Sequence, residues 1–186
     1  MTNDRRLLHR VVLRNYKSIA ACDVSLAQLS FLVGPNGSGK SNFLDALRFV
    51  GDALRFSIDH ALRDRGGINE VRRRSHGHPT HFGIRVEFSL PGSLGHYAFT
   101  VGAKPRGGYE IKQEECLVVR PDADEPDFYE VERGRVSKCS IVPPPAASPD
   151  RLYVAARFEN CGNLVSTRDC TVTVLQRIID VRPPWS

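Results

Sequence analysis

The sequence predicts an α/β fold in which a strand–glycine loop–helix unit joins an antiparallel β-subdomain. Three stretches predict it. The apolar run Leu29 to Val33 opens onto GPNGSGKS at 34–41, helical spacing follows, and a period-two alternation takes over further on. With 186 residues, 41% of them hydrophobic, the chain can bury a core, and one domain with a second lobe is expected.

Taken in order, Val11, Val12, Leu13 and Tyr16 mark a first β-type stretch. A second lies around Asp23 to Leu26, and the run into Gly34 is the third. From Ser41 the pattern becomes helical: Phe43, Leu47, Val50 and Leu54 recur at helix spacing with Leu44 beside them, and no Pro or Gly intervenes until Gly51. This spacing predicts a helix that starts inside the glycine motif and runs to about Ile58, with Gly51 its weak point. Residues 59–78 are charged and carry Gly66-Gly67, Arg72 to Arg74 and His76-Gly77-His78, which predicts a short helix and then a mobile connection. Phe82, Ile84, Val86, Phe88 and Leu90 then alternate with polar or small residues, and shorter β-like pieces follow at 97–101, 109–119 and 128–136. Turn signals at Pro91-Gly92, 105–108 and 121–127 separate them, so this region reads as an antiparallel meander with one buried face. Pro143 to Pro145 and Pro149 mark a linker, 152–158 suits one more strand, and 172–181 fits strand or helix equally.

Charge and cysteine usage narrow the class. The net charge of +5 and a pI near 9.1 suit contact with polyphosphate or nucleic acid and require neither. Cys22, Cys116, Cys139, Cys161 and Cys170 make an odd count without a C-x-x-C pair, which argues against a disulfide framework or a cysteine zinc site. The stretch MTNDRRLLHRVVLRNY has no apolar core of signal-peptide length, and no run approaches the roughly 18 apolar residues of a spanning helix. A cytoplasmic protein with no membrane partner is the expectation.

GPNGSGKS fits G-x-x-x-x-G-K-[ST], the phosphate-binding P-loop. Gly34, Gly37 and Gly39 allow the backbone to turn its N–H groups toward a phosphate, with Pro35, Asn36 and Ser38 between them. Lys40 would reach the β- and γ-phosphates, Ser41 would ligate Mg²⁺, and Asn42 opens the helix whose positive end faces the same anion. No N-K-x-D guanine-reading element occurs, which favours ATP.

Residues 13–50, LRNYKSIAACDVSLAQLSFLVGPNGSGKSNFLDALRFV, resemble the N-terminus of the RecF, SMC and OLD-type ATPases, a branch of the ABC-like ATPases often termed AAA family ATPases. The likeness lies in the N-[FY]-K-[SC] stretch (Asn15 to Ser18), the P-N-G-S-G-K-S-N loop and the N-x-L-D/E-A-[LI] helix start (Asn42 to Leu47). The resemblance implies a P-loop NTPase core with an antiparallel β-subdomain, 1–158 forming the N-terminal lobe (β-subdomain about 79–136) and 159–186 an unassigned tail. It implies ATP and Mg²⁺ as cofactors, ATP sandwiched with a second head in a homodimer or a partner chain, DNA as a further partner, and roles in DNA repair, chromosome maintenance or phage defence. Gln113 is the candidate for the family's metal-contacting glutamine.

Two family parts are missing from the sequence. No LSGG-like signature follows, and the best approximation to an acidic strand end, Val174 to Asp180, is broken by Gln176-Arg177 and followed by Val181. Without that acidic pair Mg²⁺ lacks an anchor and the attacking water lacks a base, so hydrolysis by this chain alone is not expected. An architecture incomplete at the C-terminus is favoured over the alternative, a non-hydrolysing nucleotide-binding module completed by a partner chain. His76, His78 and His81 read as loop residues rather than metal ligands, and Arg72 to Arg74 as a solvated charge run rather than a DNA contact. Asp45 with Arg48, and Asp52 with Arg55, read as i,i+3 pairs on the helix surface.

Overall fold

The computed structural model describes residues 8–75, 79–90, 93–121 and 123–140. The chain opens with a hairpin, β1 (Leu8–Tyr16) and β2 (Ile19–Ser25), and after the glycine loop forms α1 (Lys40–Arg55), α2 (Ile58–Arg63) and the single turn α3 (Ile68–Val71). A meander follows: β3 (His81–Leu90), β4 (Ser93–Ala103), β5 (Tyr109–Val119), β6 (Asp127–Glu132) and β7 (Arg135–Cys139). The strands make one seven-stranded sheet in the order β2-β1-β3-β4-β5-β6-β7, with every pairing antiparallel.

Alternation along the strands sorts the two faces of this sheet. Val11 and Leu13 of β1, Phe82, Ile84, Val86 and Phe88 of β3, and Tyr97, Phe99 and Val101 of β4 are buried and share one core with Phe43, Ala46, Phe49, Val50, Ala53 and Leu54 of α1. Phe49 anchors the helix to the sheet, its ring 5.4 Å from Phe82, 6.1 Å from Tyr16 and 6.2 Å from Phe99. The opposite face carries an ionic ladder across five strands. Arg10 pairs with Asp23 at 2.6 Å, Arg85 with Glu87 at 3.1 Å and Glu115 at 2.8 Å, and His96 with Glu115 at 3.3 Å. Glu114 is the acidic residue buried in the core among the described residues. Its Oε1 accepts from the hydroxyls of Tyr97 (3.0 Å) and Tyr129 (3.1 Å), and burial beside that carboxylate pushes both phenols well above their usual range.

Four expectations need correcting. Residues 29–33 form no strand: Leu29, Phe31 and Val33 stand 71%, 78% and 90% exposed. A strand apolar on both sides needs neighbours and cover on both, and β2, the nearest strand in sequence, is the sheet edge with β1 alone beside it among the described residues. The first helix stops at Arg55 rather than Ile58, because Ser57 accepts a bond from the His60 N–H at 3.0 Å and so caps a new helix. It passes through Gly51, which is buried, without a break. Residues 64–75 are tied to the rest by Lys17 N–H to Val71 O and Arg73 N–H to Asn15 O, both 2.7 Å, where a mobile connection was expected; 76–78 lie outside the described residues. The piece at 128–136 is two strands, since Arg133 and Gly134 at φ 47° and 73° make a two-residue hairpin turn. The expectations for 141–186, including the strand at 152–158, the strand or helix at 172–181 and the boundary at 158, lie outside the described residues, as do Cys161 and Cys170. Cys22 is a free thiol, half-buried on β2.

Candidate nucleotide-phosphate site

The glycine loop joins the exposed segment after β2 to the start of α1. Gly37 and Gly39 adopt left-handed backbone at φ 82° and 93°, which glycine reaches without the steric cost other residues meet. Gly39 is the residue before the first helical turn. No side chain caps that turn, and it carries no acidic residue. Its N–H donors therefore keep the positive end of the helix open to an anion. Lys40 folds back over the loop, its ammonium donating to Gly34 O at 2.7 Å, Pro35 O at 2.8 Å and Ser38 Oγ at 3.2 Å, which holds a cation at the same place. Ser41 is exposed in the first turn, and the Asn42 amide donates to Ser18 Oγ at 2.7 Å. Asn36 and Pro35 lie on the exposed outer part of the loop.

An open depression of about 580 Å³ adjoins the loop. Its walls come from the β1–β2 turn and β2 (Ser18 to Cys22, Val24), from Phe31 to Val33, and from Gly37 to Lys40 with Phe43. A hollow of mixed polar and apolar surface beside a cluster of N–H donors and an ammonium fits a nucleotide's phosphates with its organic part alongside. None of its lining residues is acidic, so the loop side offers Ser41 but no carboxylate to a bound Mg²⁺.

The structure does not bring every expected residue together. Gln113 sits on β5 opposite Thr100 and Glu132, and β1, β3 and β4 separate it from the β2 wall, so it does not meet the loop. Arg72 is held by Asn69 Oδ1 and Pro79 O, both at 3.0 Å, Arg73 reaches Ser75, and Arg74 pairs with Glu70, so the basic run is occupied locally. His81 opens β3, His76 and His78 lie outside the described residues, and no metal-holding His/Cys/Asp/Glu group occurs among the described residues.

The helix-surface pairs are also corrected. Asp45 binds Lys17 Nζ at 2.6 Å, the Tyr16 hydroxyl at 2.8 Å and Arg65 Nε at 3.0 Å, while Asp52 takes Arg65 Nη2 at 2.8 Å. Arg65 also lies 5.3 Å over the Phe49 ring. These long-range cations win because they reach partly buried carboxylates across the core edge, where the attraction is less screened than between Asp45 and exposed Arg48. Burial pushes the Asp45 carboxyl up, but bonds from Lys17 and Tyr16 and the Arg65 charge outweigh it and hold it below the usual range. Burial and the Asp45 charge drive the Tyr16 phenol far upward. Sequence reasoning gave Tyr16, Lys17 and Ser18 no task beyond family likeness and missed Arg65; an arginine set among glycines after the helix was the available signal.

Comparison with known proteins fits this geometry. A family profile described as "AAA domain, putative AbiEii toxin, Type IV TA system" matches residues 29–148. The DNA replication and repair protein RecF of Vibrio campbellii is 42% identical over 50 residues, which is 26% of this chain and 14% of that protein. RecF of Proteus mirabilis is 40% identical over 58 residues, 31% of this chain and 16% of that protein. The matched part thus spans well under a fifth of the length of these curated relatives. A solved chain from work described as "Structural biochemistry of ATP-driven dimerization and DNA stimulated activation of SMC ATPases" aligns over 95% of this chain and 93% of its own at 21% identity, with a TM-score of 0.39. No helix among the described residues is long and apolar enough to cross a membrane. Its N-terminal portion is similar to that of RecF, and because the family profile covers more than half of the chain, across the loop, the helices and the meander, the chain belongs to the AAA domain family of that description.

Proposed function

We propose that this chain binds ATP with Mg²⁺ at the 34–42 loop and acts as part of an ATPase head of the RecF/SMC/OLD type. The observation that carries the reading is the Lys40 ammonium held over the loop at the uncapped start of α1. Lys40 would exchange its loop carbonyls for β- and γ-phosphate oxygens, the first-turn N–H groups would donate to the same phosphates, and the Ser41 hydroxyl would take one position on the metal. Bound Mg²⁺ would neutralise phosphate charge and fix its geometry. With no carboxylate lining the loop, turnover calls for acidic groups from another part of the protein or from a partner, in keeping with a homodimer or partner chain closing over the nucleotide. DNA as a partner, a cytoplasmic location, and roles in DNA repair, chromosome maintenance or phage defence belong to the same proposal, supported by the RecF likeness.

Calorimetry with ATP–Mg²⁺ on the full chain and on Lys40→Ala tests it. Loss of a charge-assisted bond to phosphate should weaken binding by about 10- to 100-fold. Equal affinity in the two proteins, or no binding in either, overturns the reading. Turnover recorded on the same samples separates an active head, whose rate the substitution abolishes, from a chain that binds without hydrolysing.

A further inference from the structure

The N-Y-K-S stretch has so far no task. Its backbone is strained, with Asn15 at φ 53° and Lys17 at φ 47°. Asparagine tolerates the left-handed region, but lysine has no such ease, and conformations of this kind persist where the surroundings over-determine them. Here they do. The Lys17 N–H bonds Val71 O and Asn15 O accepts from the Arg73 N–H, each at 2.7 Å. Every side chain from Tyr16 to Ile19 then faces the beginning of α1. Tyr16 and Lys17 bind Asp45, Ser18 accepts from Asn42, and a β-carbon placed on Gly39 would stand 3.4 Å from Ile19 Cγ1. Asn42 and Asp45 are three residues apart and so share one face over the first two turns of the helix.

A helix commonly fixes its first turn with a capping side chain that occupies its N–H donors. In α1 such a cap is absent, and the grip comes from outside. We propose that the Asn15–Ser18 turn is a positioning element of the nucleotide site, clamping the start of α1 at Asn42 in the first turn through Ser18 and at Asp45 in the second through Lys17 while leaving the first-turn N–H donors open to phosphate. Ser18 also forms part of the depression wall, so one residue sets both the wall and the helix start. The inference rests on the nucleotide-binding reading and adds positioning residues to it.

The test is ATP–Mg²⁺ affinity by calorimetry and Tm on the full chain, for wild type, Lys40→Ala, Ser18→Ala, Ser18→Thr, Asn42→Ala and the Ser18→Ala/Asn42→Ala double variant. Ser18→Ala and Asn42→Ala should each weaken binding about 3- to 10-fold, as loss of one positioning hydrogen bond implies, with Tm moving by less than about 2 °C. Ser18→Thr, which keeps the hydroxyl, should restore affinity, and the double variant should bind no more weakly than the worse single one, because both remove the same bond. Wild-type affinity in Ser18→Ala, multiplicative losses in the double variant, no rescue by threonine, or a loss that tracks falling Tm overturns the clamp. If Lys40→Ala weakens binding in the same series, that failure is the clamp's alone; if Lys40→Ala binds like wild type, the nucleotide reading falls and takes the clamp with it.

Discussion

The meander β3–β7 and the segment from Leu26 to Lys40 lie in one chain and differ in how they are satisfied. In the meander each strand finds its partner a few residues away, and its buried positions alternate in register with their neighbours. The segment before the loop is as apolar as any strand, yet Leu29, Phe31 and Val33 are exposed. An antiparallel strand carries its partner with it through a short turn, whereas a strand of the buried kind depends on distant neighbours. Local sequence completes the first and leaves the second open.

Phe49 is where the two regions meet, since it belongs to the helix that follows the loop and packs on rings of β1, β3 and β4. Phe49→Ala should cost about 3–5 kcal/mol, read by denaturant unfolding. A single cooperative transition that shifts as a whole would show the helix and the meander unfolding together. A second transition appearing in the variant would break them into separate units.

Within the meander, two glycines separate backbone crowding from side-chain crowding. A β-carbon on Gly95 would stand 2.5 Å from Leu117 O and 2.9 Å from the Phe88 ring, and neither can retreat without moving a strand or the core. On Gly102 the clash, at 2.3 Å, is with Cε of Lys112, the far end of a flexible chain. Gly95→Ala should therefore cost about 1–3 kcal/mol and Gly102→Ala less than about 0.5 kcal/mol by thermal unfolding. Equal costs would mean that the meander yields as readily as a surface loop, erasing the contrast with 26–40.

How much of this was legible in the sequence follows the same division. The alternation Phe82, Ile84, Val86, Phe88 reports its own burial, so the meander could be read by eye, and the P-loop announces itself because its chemistry dictates residue types at fixed spacing. The hairpin at Arg133-Gly134 escaped notice because non-glycine residues at positive φ leave little trace in composition. Partners 20 residues apart, such as Asp45 and Arg65, escaped because local spacing supplied nearer but wrong ones in Arg48 and Arg55. The run at 29–33 read as a strand because apolar composition reports what a segment could bury, and burial itself depends on what stands beside it.

Acid probes the partners that spacing missed. The Asp45 carboxyl lies below its ordinary range in the folded chain, so its contribution to stability is present above about pH 4 and is lost as pH falls through the lowered folded value. Asp45→Asn should be less stable than wild type near neutrality, with the gap narrowing below about pH 4 in denaturant titrations. A gap independent of pH would show that packing around Asp45, and not its charge, ties Lys17 and Arg65 to the helix.

The smallest expected effect decides most about the open segment. Phe31 is 78% exposed, so Phe31→Ser in the full chain should change stability by less than about 0.5 kcal/mol. The same substitution in a covered strand would remove a buried aromatic ring and cost several times as much, on the order of 3 kcal/mol. A loss of that size would place a neighbour over residues 29–33 in solution, and its dependence on protein concentration would say which kind, since cover by a second copy weakens on dilution and cover from within the chain does not. The contrast between a self-sufficient meander and a segment awaiting its neighbours would then describe the described residues alone, with the loop resting on a strand assembled from elsewhere.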